Sequence, residues 1–152
     1  MRAHPFALAL ERRFPGLFEF ILVDDDDDNA DMDAGAEPRG ALLDARARSL
    51  SGDPGVDLTA HFGFGEYSVG IGCLAHTHYD NNQLADVLDL IEPLASGSLG
   101  CFETLGFDGS PRSARMIDFA DAQSGNIPAL GPKDKSFRIR FFTGLGDIDG
   151  AP

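Results

Sequence analysis

Apolar residues along this chain change their spacing several times, and each change marks an element. Over 81–95, Leu84, Val87, Leu88, Ile91 and Leu94 recur at helical spacing, with Gln83, Asp86, Asp89 and Glu92 on the opposite side. Asp80 is the expected cap, Gln83 completes a capping box, and Pro93 and Gly97 mark the stop. A shorter helix is predicted over 5–14, with Pro5 in its first turn and Pro15-Gly16 ending it. The bulky run 17–23, LFEFILV, reads as a strand. Residues 41–50, ALLDARARSL, consist of good helix formers before Ser51-Gly52, so a short helix is expected there.

From Val56 the period becomes two. Val56, Leu58, Ala60, Phe62 and Phe64 share one face; after a turn at Gly65, Tyr67, Val69, Ile71, Cys73 and Ala75 share another. This is a β-hairpin pattern. Gly70 and Gly72 fall on the opposite face, where another backbone or a helix can come close. Strands are also predicted over 98–107 and 114–120, joined through Asp108-Gly109, and over 137–143. In the last of these, Phe137, Ile139 and Phe141 point inward and Arg138 and Arg140 outward. The loop 122–136 and the tail GDIDGAP carry no periodic signal, and the tail is expected to be loose.

Hairpin-linked strands with one strong amphipathic helix imply an α+β fold: an antiparallel sheet of about five to six strands with two or three helices packed mainly on one face. The length, 152 residues, suits a single domain over 1–152 that can bury a core without staples. One segment resists this scheme. Around 24–40, DDDDDNADMDAGAEPRG, repulsion between neighbouring carboxylates predicts a disordered, solvated acidic loop.

Charge narrows the choice of partners. Asp and Glu number 25 against 12 Lys and Arg, a net −13 with His neutral. Such a field repels nucleic acid and anionic membrane and favours a basic protein partner. Neither nucleic acid nor membrane is therefore expected to bind, and no apolar run approaches the ~20 residues a membrane span needs. Glu11, Arg12 and Arg13 interrupt the first apolar run, so no secretory signal core is expected, and the protein is expected in the cytoplasm. Cys73 and Cys101 both lie in apolar strand-like runs, where buried thiols are the default reading and a disulfide the alternative.

The segment HTHYD places His76, His78 and Asp80 within five residues. It resembles the opening of the zinc motif in the metallo-β-lactamase fold, but Asn81 stands where that motif has another His, and no His follows His78. Catalytic zinc usually takes three protein ligands and one open position, so His61 would have to join the set. The simpler reading makes His76 and His78 neighbours on one face of a strand end, with Asp80 capping the next helix. The aspartate run is no EF-hand: counted from Asp24, the positions that require Gly and Glu hold Asn29 and Gly35. Gly63-x-Gly65 lacks the third glycine of a dinucleotide loop, and Glu66, Glu103 and Asp118 form no recognisable acid/base pair. Arg138 and Arg140 read as a salt-bridged strand face, with an anion site as the alternative. No cofactor is expected.

Residues 80–104, DNNQLADVLDLIEPLASGSLGCFET, resemble the small immunity proteins of bacterial polymorphic-toxin systems. In one such group a helix leads into a Pro-Gly-Ser-Tyr-Gly turn and a strand, and an Asn-Glu-Phe-Arg-Val strand comes later. Ser96-Gly97-Ser98-Leu99-Gly100 and Lys135-Ser136-Phe137-Arg138-Ile139 are the counterparts here. Leu99 replaces the Tyr, and GFDGSPRSARM stands in place of the group's acidic stretch. The resemblance covers about a third of the chain and implies a non-catalytic cytosolic protein that neutralises a toxin domain by binding it. The candidate contact residues are the acidic ones, Asp24, Asp25, Asp26, Asp27, Asp28, Asp86, Asp89 and Glu92. Two other readings stand beside it: a small metal-dependent hydrolase using His76, His78, Asp80 and His61, and a structural module that pairs through a sheet edge.

Overall fold

The computed structural model describes residues 4–23, 42–72 and 74–151. Among these residues nine strands form two antiparallel sheets, accompanied by three α-helices. The fold is α+β. Its strands are divided five and four between two sheets, where the sequence pattern suggested one.

The first sheet is a meander in the order β1 (Glu19–Val23), β2 (Leu42–Ala47), β3 (Leu58–Gly63), β4 (Glu66–Ile71) and β5 (Ala75–Asp80). Its inner face collects Leu43, Ala45, Ala47, Leu58, Ala60, Tyr67, Val69 and Ile71, all buried. Helices α1 (Pro5–Arg13) and α2 (Leu84–Ser96) contribute Phe6, Leu10, Val87, Ile91 and Leu94 to the same core. The second sheet has the order β7-β6-β8-β9, with β6 at Leu99–Gly106, β7 at Pro111–Asp118, β8 at Asp134–Arg140 and β9 at Ile148–Gly150. One face of β6 and β7 adds Leu99, Cys101, Ala114 and Met116 to the main core. The other face builds a second core of Phe102, Ile117, Phe137, Ile139 and Phe141, closed by Ala122 of the short helix α3 (Phe119–Ser124). Burial on both sides explains why β6 is apolar almost throughout.

Several expectations change. Residues 42–47 are a strand and not a helix. Leu43, Ala45, Ala47 and Ser49 are buried while Asp44, Arg46 and Arg48 face out, a period of two that helix propensity had masked. Ladders to β1 and β3 on both sides outweigh that propensity, which is small per residue. Asp80 ends β5 and does not cap α2; the N-cap is Gln83, and no side chain caps that end. Half of the expected capping box survives, since the backbone N–H of Asp80 donates to Gln83 Oε1 at 2.8 Å. The tail is ordered through β9, which pairs with β8. Residues 119–124, within and before the predicted loop, form α3. Phe64 leaves the apolar face for an exposed turn. The close backbone approach expected near Gly72 is present: a Cβ there would stand 2.5 Å from the Gly55 carbonyl oxygen. No helix among the described residues is long and apolar enough to cross a membrane.

Candidate functional site

The acidic stripe of α2 is the better defined of the two candidate surfaces. Val87, Ile91 and Leu94 bury one side of the helix, so Asp86, Asp89 and Glu92 emerge on the other. Asp89 and Glu92 are not left to solvent alone. Arg13 at the end of α1 reaches both, at 3.0 Å and 2.5 Å, and clamps α1 to α2. The hydrogen bonds it donates to Glu92 and then Asp89 raise the pKa of this guanidinium further above its ordinary value. Both carboxylates remain well exposed, so one cation is shared between two acids on an open surface. Asp86 accepts from Gln83 Nε2 at 3.3 Å and has no cationic partner among the described residues. Burial first, and the charge of Asp86 second, raise the pKa of the neighbouring Tyr79.

Asp24 to Asp28, the remaining candidate contacts, lie outside the described residues, as does Cys73. Cys101 is buried in the main core.

The second candidate is the outer face of the first sheet. The segment HTHYD is strand β5 itself. Alternation exposes His76, His78 and Asp80 and turns Ala75, Thr77 and Tyr79 toward the core side. The register aligns Asp44, His61, Ser68 and His78 in one row across β2 to β5. His61 Nδ1 pairs with Asp44, and His78 Nδ1 lies 3.9 Å from Glu66 Oε1. The ring of His76 occupies the space above Gly70, where a Cβ would fall 2.2 Å from Nδ1. Each imidazole therefore has its own local setting. A full strand, β4, separates His61 from His78, which spreads the proposed ligands over about 10 Å at the usual interstrand spacing. Among the described residues no three His, Cys, Asp or Glu side chains gather as a metal site requires.

The basic stripe on β8 is consumed internally. Arg138 meets Glu103 at 2.5 Å, and Arg140 meets Asp149 at 2.7 Å. Glu103, considered above only as a candidate acid/base carboxylate, is 8% exposed. Its Oε1 has the ionic contact with Arg138 but no hydrogen bond of acceptable angle. The contact fits the geometry of the sheet, since Glu103 and Arg138 are directly opposite in the β6–β8 ladder. Alternation placed Glu103 on the face of Cys101, a signal that was available but carried no chemistry by itself.

Compared with known proteins, the chain matches no family model, and no curated protein or solved structure is significantly similar to it.

Proposed function

We propose that this protein is a non-catalytic acidic binding protein, an immunity protein that neutralises a bacterial toxin domain in the cytoplasm by covering it. One observation carries the reading. Arg13, Arg112, Arg138 and Arg140 are each held by carboxylates of the same chain. Meanwhile Asp80, Asp86 and Asp118 are exposed without an ion pair among the described residues. Arg12, Arg46, Arg115, Lys133 and Lys135 are also exposed, but with 25 Asp and Glu against 12 Lys and Arg the field of the chain is negative on balance. A toxin that cleaves nucleic acid carries a basic cleft, and complementary potential both steers encounter and selects the partner. The resemblance over residues 80–104 supports the same reading, because it falls on the helix that bears Asp86, Asp89 and Glu92.

The test is co-expression with a toxin domain encoded beside this gene. Growth is expected to be restored, and the two proteins to co-elute with an affinity that falls as salt rises, since screening lengths shorten to about 3 Å at 1 M. Continued killing by the neighbouring toxin, with no complex at low salt, would refute the proposal.

A further inference from the structure

At the C-terminal end of α2 the chain forms a groove of about 570 Å³, bounded by Ser96, Ser98, Asp118, Phe119, Asp121 and Leu145. Its apolar walls are preformed. Phe119 stands edge-on to Phe141 at 5.2 Å, and a Cβ at Gly146 would come within 2.3 Å of the same ring. The ring is thus packed on Phe141 and Gly146, yet 38% of Phe119 remains exposed, and Leu145, which lines the same groove, is 72% exposed. Unlike the exposed Phe64 and Phe107, these two apolar side chains line a common groove.

The charges in the groove have one sign. Among the described residues no Lys, Arg or His lines it. Asp118 occupies the N-cap position of α3 but makes no capping hydrogen bond, and it has no ion pair among the described residues. The Asp121 carboxylate accepts from the neutral side-chain amide of Asn126, at 3.1 Å, and has no ion pair among the described residues. The carbonyl end of α2 adds partial negative charge, with no basic residue in its last turn to offset it. The start of α3 has the opposite polarity, but α3 is a six-residue helix set against two full carboxylates. Arg115 does not line the groove; it lies in the adjoining depression, which Asp118 and Asp121 also line. On α2, Ser96 follows Glu92 by four residues, so the acidic stripe leads into this groove.

We propose that the groove docks an arginine side chain of the protein's basic partner. The methylene stem lies between Phe119 and Leu145, and the guanidinium stacks on the Phe119 ring within reach of Asp118 and Asp121. Arginine fits better than lysine because its flat, weakly hydrated cation stacks on an aromatic face and forms paired hydrogen bonds to carboxylate. This deepens the binding-protein reading and rests on it for the identity of the partner.

The experiment titrates the isotope-labelled full chain with the peptide acetyl-Gly-Arg-Gly-Arg-Gly-amide and with its citrulline analogue, which keeps shape but loses charge. Backbone shifts at Gly97, Asp118 to Asp121 and Leu145 are expected to saturate with the arginine peptide and stay flat with citrulline. The double variant Asp118→Asn, Asp121→Asn keeps the size of an exposed and a half-buried side chain and leaves an amide oxygen to accept from Asn126, so it should fold normally; it is expected to bind about tenfold more weakly, in the range of a desolvated cation–π and charge contact. Shifts scattered over the acidic surface, or unchanged in the double variant, would overturn the proposal. So would concentration-dependent shifts at the groove without peptide that vanish in Leu145→Asp, because the occupant would then be a second copy. Should a cognate toxin domain bind wild type and double variant equally, the groove is refuted while the immunity reading stands. Saturable peptide binding without any toxin binding has the opposite meaning: the groove holds and the immunity reading fails.

Discussion

Phe6→Ala tests what fixes α1 to the body of the protein. Phe6 is 1% exposed and lies edge-on to Tyr67 with ring centroids 4.8 Å apart. A buried Phe withdraws roughly 150–200 Å² from water, and at ~25 cal/mol/Å² this amounts to about 4–5 kcal/mol. Alanine retains part of that, and the cavity adds a cost, so the expected loss is about 3–5 kcal/mol. The total stability of such a domain is about 5–15 kcal/mol, so the variant should melt roughly 10 °C lower and unfold at clearly less urea. Leu10 joins Phe6 in the core, and the polar attachment of α1 is Arg13, whose bridges to Asp89 and Glu92 lie in water; Arg13→Ala should cost far less. Circular dichroism in urea measures both. A second readout is built into the sequence, which has two Tyr and no Trp. Burial holds the Tyr67 hydroxyl above the usual tyrosine pKa. Its contribution to stability is therefore complete below the unfolded value of about 10 and is lost as pH rises through the folded one. With Phe6 gone, water reaches the phenol, and phenolate absorbance should appear at lower pH. A Phe6→Ala loss smaller than that of Arg13→Ala, with unchanged phenolate titration, would refute the claim that apolar packing anchors this helix.

Three further outcomes follow from the same geometry. Gly100→Ala should destabilise by about 1–3 kcal/mol in urea titration, because the new Cβ would stand 2.5 Å from the Phe141 ring and 2.6 Å from the Arg140 carbonyl in a doubly buried strand; a neutral result would mean that the second core is loose. Hydrogen bonds from Ser110, side chain first and backbone second, hold the Asp108 carboxyl below its ordinary pKa. This support of the β6–β7 turn is present above the ordinary carboxylate range and is lost as pH falls through the folded value; Ser110→Ala should move the Asp108 carbon-13 titration upward, and no movement would count against the turn. Added Zn(II) should leave the melting temperature of wild type, His76→Ala and His78→Ala alike, and a zinc-dependent rise confined to wild type would favour the hydrolase reading.

The α+β class, helix α2, the β3–β4 and β6–β7 hairpins and the inward set of β8 were legible because each depends on local periodicity. The candidate surface was legible in part: the outward side of α2 followed from spacing, but its bridge to Arg13 joins residues 76 and 79 positions apart. Residues 42–47 were misread because their propensity and their alternation disagree, and only neighbouring strands decide between them. Asp118, Phe119 and Leu145 carried no signal as a group, since the groove exists only where the end of α2, the start of α3 and the β8–β9 turn meet. Local pattern is set by the chain's own repeat, so sequence alone determined the apolar side of α2, β3, β4 and β8 and that the protein is strongly acidic. Ladder partners, the split into two sheets and the meeting of distant charges depend on burial shared between remote segments. Those only the tertiary structure decided, because an antiparallel edge accepts many partners until a common core selects one.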